Sequence, residues 1–224
     1  MDIKSNTVSG KNQMVNSSDL SFLGESGAKL KILVVGNSIT RHGPKEDIGW
    51  SGDWGMAASA PENDYVHRLY RMLQESGKDV YMRIRQCSYW EVSFLNEGIL
   101  SRYDEERAFD ADIVVFRLGE NVPVANKPYF QAAMEKFIAH VCPSGKTIFT
   151  TCWWANEIID DAIKAVAEKR GEVCLNCTFA PDVKMRAFGL FAHGGVAAHP
   201  SDYGMETIAK TIFNEIVKTQ NKMN

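Results

Sequence analysis

Three reactive side chains stand where the chain changes direction. Ser38 follows the apolar run Ile32-Leu33-Val34-Val35 and a glycine, within Gly36-Asn37-Ser38-Ile39-Thr40. Asn121 follows a second strand-like stretch, Ala111-Asp112-Ile113-Val114-Val115-Phe116-Arg117-Leu118, within Gly119-Glu120-Asn121. His199 precedes Pro200 and a stretch carrying Met205, Ile208, Ala209, Ile212 and Ile216 at helical spacing. A hydroxyl, a carboxamide and an imidazole are the parts of acyl transfer: nucleophile, oxyanion donor and general base. Each also has an ordinary reading. Serine after a strand is commonly a turn or cap residue, Asn after glycine completes its own turn, and His before proline can cap a helix. The chemistry therefore depends on all three converging.

The elements around them supply a way. Unbroken Val/Ile/Leu runs suit strands buried on both faces of a parallel sheet. Further strands are expected at residues 79–86, 147–151 and 172–177, with helical patterns at 61–77, 91–100, 128–141, 156–169 and 201–218. The alternation predicts right-handed crossovers and an α/β fold, a flavodoxin-like three-layer α/β/α sandwich of about five parallel strands in the order 2-1-3-4-5. In that order the first and third strands are neighbours, so Ser38 and Asn121 emerge together at the carboxyl edge, where such sheets bind ligands. The last helix returns His199 to the same rim. Residues 1–28 are polar and read as a flexible arm; residues 29–224 read as one domain.

Composition removes several classes of function. The net charge of −3 is spread without a basic stripe, so nucleic acid is not an expected partner. No apolar run approaches the roughly 20 residues of a membrane span, and no membrane partner is expected. The start has no apolar core of a secretory leader, which makes the cytoplasm the expected location. The five cysteines are an odd count in a chain large enough for its own core, so they read as reduced and buried, Cys174-Leu175-Asn176-Cys177 included. His42, His67, His140 and His193 share no metal-ligand spacing, and no metal or cofactor is expected.

Taken in order, the three blocks resemble those of the SGNH (GDSL-type) hydrolases. Gly36-Asn37-Ser38-Ile39-Thr40 is similar to the first block, with Asn where Asp is commoner; Gly119-Glu120-Asn121 is similar to the Gly-x-Asn block; His199-Pro200 is similar to the histidine block. The resemblance spans roughly residues 31–218 and implies the three-layer sandwich with esterase, lipase or acetylesterase activity. It implies Ser38 as nucleophile, His199 as base, and an oxyanion hole from the Ser38 N–H, the Asn121 carboxamide and a third N–H, assigned to Tyr89. Two positions depart from the pattern. Val196 stands where the family commonly has Asp three residues before the histidine, so the His199 ring needs a backbone carbonyl, a water or a carboxylate from elsewhere. Residues 86–90, Gln-Cys-Ser-Tyr-Trp, lack the glycine that often lends the third N–H.

Trp50, Trp54, Trp90, Trp153 and Trp154 fall mostly on predicted loops at the rim, where they either cover the sheet end or meet substrate. Amphipathic rings suit sugar faces, which favours a carbohydrate O-acyl ester or another small ester. Asn37, Trp54, Trp90, Glu120 and His193 are the expected substrate-side residues. Two rival readings use the same architecture: a phosphate- or flavin-binding module cradling its ligand at residues 37–43, though without a Gly-x-Gly-x-x-Gly loop, and a carbohydrate-binding protein without turnover, suggested by Val196.

Overall fold

The computed structural model describes residues 19–223. Six strands form one sheet: β1 (Leu20–Leu23), β2 (Leu30–Gly36), β3 (Val80–Gln86), β4 (Ile113–Arg117), β5 (Lys146–Thr150) and β6 (Val173–Leu175), in the order β1-β3-β2-β4-β5-β6. Strands β2 to β6 are parallel, so the expected five-strand order stands, with β1 added antiparallel outside β3. Pairing of Gly36 with Arg117 sets the exits of β2 and β4 side by side.

Helices cover both faces. On one face α1 (Tyr65–Glu75) and α7 (Asp202–Met223) bury Val66, Leu69, Leu73, Met205, Ile208, Ile212 and Ile216 against Ile32, Val34, Met82 and Val115. On the other, α4 (Phe130–Val141) and α5 (Glu157–Arg170) bury Phe130, Phe137, Ile159 and Ile163 against Leu33, Val35, Val114, Phe116 and Phe149. Alternate residues of β2 and β4 thus feed opposite cores, which is why those strands read as continuous apolar runs. Three short helices complete the set: α2 (Ser88–Ser93), α3 (Asp104–Phe109) and α6 (Gly194–Ala197).

Several boundaries differ from the sequence expectation. The arm assigned to residues 1–28 ends in β1, whose Leu20 and Leu23 lie opposite Arg85 and Met82; its first eighteen residues lie outside the described ones. Four residues are too few to show a period, so composition alone hid the strand. Pro61 opens a 3-10 turn, and α1 starts only after Asp64, whose carboxylate accepts the His67 N–H at 2.8 Å. The helix expected over residues 91–100 is instead the end of α2, which stops at Ser93, and the start of a 3-10 turn over Ile99–Tyr103 that leads into α3. The polar alternates of β3 do not face water: Arg83 is buried and donates to Glu106 on α3 at 2.7 and 2.9 Å.

Candidate active site

Residue 36 must be glycine for the β2 exit to close. A Cβ there would lie 1.7 Å from Thr40 Oγ1 and 3.2 Å from the Arg117 carbonyl. The chain turns at once, with Thr40 and Arg41 N–H groups both donating to the Asn37 carbonyl at 2.9 and 3.0 Å. Ile39 N–H donates to Asn37 Oδ1, and none of the turn's hydrogen bonds uses the Ser38 N–H. Ser38 is half-buried with its hydroxyl presented at the sheet's carboxyl edge.

His199 meets it there. Ser38 Oγ and His199 Nε2 are 2.8 Å apart, across 161 residues of chain. The other ring nitrogen, Nδ1, is 2.7 Å from the Gly195 carbonyl. A carbonyl only accepts, so the Nδ1 proton is fixed and the Nε2 lone pair faces the serine. Backbone ties hold the segment: His199 N–H donates to Val196 O, Ala187 N–H donates to His199 O, and Trp153 Nε1–H donates to Ala198 O. The position where a triad carboxylate was missing points elsewhere, since Val196 packs with Ile48, Trp50, Met56, Ala57 and Ala187. Asp202 is also uninvolved with the ring, accepting from the Ser59 N–H and hydroxyl at 2.8 and 2.6 Å. Burial pushes the imidazole pKa down to about 4, opposed by the Gly195 carbonyl, so the ring is neutral at neutral pH.

Two carboxylates join the neighbouring exits. Glu91, fully buried on α2, accepts the Gly119 N–H at 2.5 Å, the Asn121 N–H at 3.4 Å, Asn121 Nδ2–H at 2.6 Å and Asn37 Nδ2–H at 3.2 Å. Glu120 accepts from Asn37 Nδ2 at 2.6 Å, from buried Arg117 Nη2 at 2.9 Å and from the Trp153 N–H at 2.9 Å. Burial, and then the nearby charge of Glu120, raise the Glu91 pKa to about 7, while the bonds it accepts pull the other way. Gly119 has a φ of +139°, and a Cβ there would sit 2.5 Å from Ile159 Cγ2, so this loop too requires glycine.

The other expected residues separate into those at the rim and those away from it. Asn37 is buried and both its amide donors go to carboxylates, which makes it a brace rather than a substrate contact. Glu120 is likewise committed to protein partners. Trp90 is corrected outright: it is fully buried among Phe94, Phe116, Phe130 and Phe137, so it belongs to the core and not to a substrate surface. Its exit loop proves to be the first turn of α2, which points the indole inward. Trp54 is half-buried, edge-on to Trp50 at 5.5 Å, and donates to the Ala58 carbonyl, anchoring the loop after Ser38. His193 Nδ1 accepts the Val196 N–H at 3.3 Å and caps α6. Tyr89 lies in the first turn of α2 beside the β2 exit, with Arg102 4.5 Å over its ring; the preceding N–H, of Ser88, is spent on Gln86 Oε1 at 3.1 Å. Trp154, half-buried, stands edge-on to the His199 ring at 5.2 Å.

Glu91 went unnoticed in the sequence. Its one signal is a charge flanked by Trp90 and Val92 and followed by Phe94, an acid inside an otherwise apolar stretch. Among the described residues, no group of three or more His, Cys, Asp or Glu could hold a metal ion, and no helix is long and apolar enough to cross a membrane.

No protein-family model and no curated protein sequence matches the chain. Solved structures do. The acetylxylan esterase Axe2 from Geobacillus stearothermophilus superposes with a TM-score of 0.57 at 19% identity, over 85% of this chain and 95% of that one. A psychrotrophic esterase, EstA, from Pseudoalteromonas sp. gives a TM-score of 0.54 at 15% identity, over 85% and 98%. LAE5, an enzyme from the metagenome of Lake Arreo, gives 0.55 at 17% identity, over 84% and 94%. The chain shares its fold, a three-layer α/β/α sandwich around a mostly parallel sheet, with these proteins.

Proposed function

We propose that this protein is a serine-dependent carboxylic ester hydrolase that works through an acyl-serine and acts on a small or carbohydrate O-acyl ester. The observation that carries the reading is the 2.8 Å approach of Ser38 Oγ to a neutral His199 Nε2 whose partner nitrogen is committed to a backbone carbonyl. His199 takes the Ser38 proton as Oγ bonds to the acyl carbon. The carbonyl oxygen gains negative charge, and we assign the Ser38 N–H and the second N–H of the Asn121 carboxamide as the donors that stabilise it. Collapse of the adduct breaks the ester C–O bond, and the imidazolium returns its proton to the leaving alkoxide. A water then repeats the sequence on the acyl-serine and releases the acid.

The missing carboxylate changes one part of this. In a triad the acid both fixes the histidine tautomer and stabilises the imidazolium. The Gly195 carbonyl does the first fully and the second only through its dipole. The likeness to an acetylxylan esterase and the half-buried indole of Trp154 beside the imidazole both favour an O-acetylated sugar. The test is a panel of p-nitrophenyl esters of graded chain length and acetylated sugars, run on wild type and on Ser38→Ala. Acetyl turnover lost in Ser38→Ala, with an unchanged thermal melt, is the expected result. Retained turnover refutes the assignment, and sugar binding by calorimetry without acetate release from wild type would establish the non-catalytic alternative.

A further inference from the structure

The ester-hydrolase reading needs the Asn121 carboxamide to present hydrogen, not oxygen, to the reacting carbonyl. An amide can occupy its site in either of two orientations that differ little in shape. Something must choose between them. Asn121 Nδ2 lies 2.6 Å from Glu91 Oε2, and the opposite orientation would set Oδ1 against a carboxylate oxygen. The same carboxylate also accepts the Gly119 and Asn121 N–H groups and Asn37 Nδ2–H on its other oxygen. Four donors converge from the exits of two strands, so the acid sees donors alone in its hydrogen-bond shell. Such a shell is satisfied by a carboxylate and not by a carboxylic acid, whose proton would face a donor.

Resting on that reading, we propose that Glu91 is a positioning residue: its carboxylate holds the Asn121 carboxamide with one N–H on Glu91 and the other turned to the forming oxyanion. Glu91 shares no hydrogen bond with Ser38 or His199, so it acts through Asn121. Burial makes the arrangement sensitive to pH. The charged and titratable groups facing Glu91 are Glu120 from the β4 exit, itself paired with Arg117, and the buried thiols of Cys87 and Cys152, held neutral by burial. Glu120 alone among them adds negative charge, and with burial it brings Glu91 titration to about 7, well above the titration of His199 at about 4. The acid limb of kcat/KM then belongs to Glu91 rather than to the base.

The experiment uses the full chain and p-nitrophenyl acetate, with pH profiles of wild type, Glu91→Gln, Asn121→Ala and the double variant. Glutamine puts an NH2 group where an acceptor stood, so it drives the Asn121 amide over. Expected is a fall in kcat of about 10²–10³ for either single variant, the usual loss for one oxyanion donor. KM should stay near the wild-type value. The double variant should be no worse than Asn121→Ala alone, and the acid limb should vanish in both single variants. Multiplicative losses, or a limb near neutral pH that survives in Asn121→Ala, overturn the proposal. Should Glu91→Gln fail to fold, Asn121→Ala decides alone, since it keeps the acid and removes only what it positions. Turnover retained by Ser38→Ala would instead bring down the hydrolase reading; turnover lost there but unaffected in the Glu91 and Asn121 variants brings down this inference and the donor role of Asn121, and leaves the Ser38–His199 hydrolase reading standing.

Discussion

Installing the carboxylate that a triad would carry should harm this protein. Val196 is fully buried, and its side chain faces Ile48, Trp50, Met56, Ala57 and Ala187, while His199 Nδ1 is already 2.7 Å from the Gly195 carbonyl. In Val196→Asp the new acid enters an apolar cluster with no donor to meet it. Losing the valine forfeits about 1.5 kcal/mol of burial. An uncompensated buried charge costs about 3–5 kcal/mol more. The sum, about 5 kcal/mol, is a large part of the stability of an ordinary domain. For a chain of this size it corresponds to a melting temperature lower by roughly 10–20 °C. The loss should be smaller at pH 5 than at pH 8, because the acid can shed its charge at the lower pH. The assay is a thermal melt at both pH values, paired with kcat/KM for p-nitrophenyl acetate below the melt. A variant that melts like wild type and turns over faster would refute the reasoning. It would mean that side chain 196 reaches the ring and that the carbonyl is not what orients it.

Two further expectations concern the same site. Gly36→Ala should destabilise by about 1–3 kcal/mol and lower kcat, because its Cβ would collide with Thr40 Oγ1 at 1.7 Å and shift the turn that carries Ser38; a wild-type melt and rate would contradict the geometry. The stability of wild type should change little between pH 4.5 and 6.5, because two opposite linkages overlap there. His199 is depressed from 6.5 to about 4, so it adds stability above pH 6.5 that is lost as pH falls towards 4. Glu91 is raised from 4.5 to about 7, so it adds stability below pH 4.5 that is lost as pH rises through 7. Chemical denaturation of His199→Ala should expose a fall with rising pH, and of Glu91→Gln a rise; matching slopes in both variants would show that these groups do not carry the linkage.

The two linkages also show what the site costs. Glu91 serves Asn121 as an anion, and burial resists that form, so the arrangement proposed as active is not the one most favourable to folding. Glu120 adds to the strain by placing a second negative charge alongside, and Arg117, fully buried, offsets it with a bond of 2.9 Å. Asn37 Nδ2 bridges the two acids at 3.2 and 2.6 Å. The brace links the β2 exit to the loops after β3, β4 and β5, so a side chain expected to meet substrate instead fixes the relative placement of Ser38 and Asn121.

Much of this was legible because burial writes a local period into the chain. A strand covered on both faces must be apolar at every position, and Ile32 to Val35 and Ile113 to Phe116 are, so both strands and their exits could be found by inspection. A helix with one covered face repeats at three and four residues, and Ile208, Ile212 and Ile216 do. With connection handedness, that suffices to bring Ser38, Asn121 and His199 to one edge. Other features carry no period. The direction of Trp90, inward to Phe137 at 4.6 Å, was set by where α2 begins, and a shift of a few residues in that start changes which face holds the indole. The four-residue strand β1 depends on an edge of β3 being open to receive it.

The polar contacts were wholly beyond the linear pattern. Gly195 offers the imidazole a carbonyl, a group every residue has, so no side chain could announce it. Glu91 meets Asn121 across 30 residues and Asn37 across 54, at distances fixed by the register of three strands. Amino-acid types decided which layers form and which reactive groups stand at their edge. Only the packed sheet decided which acceptor holds each of those groups, because a hydrogen bond depends on tenths of an ångström between atoms that the sequence does not place.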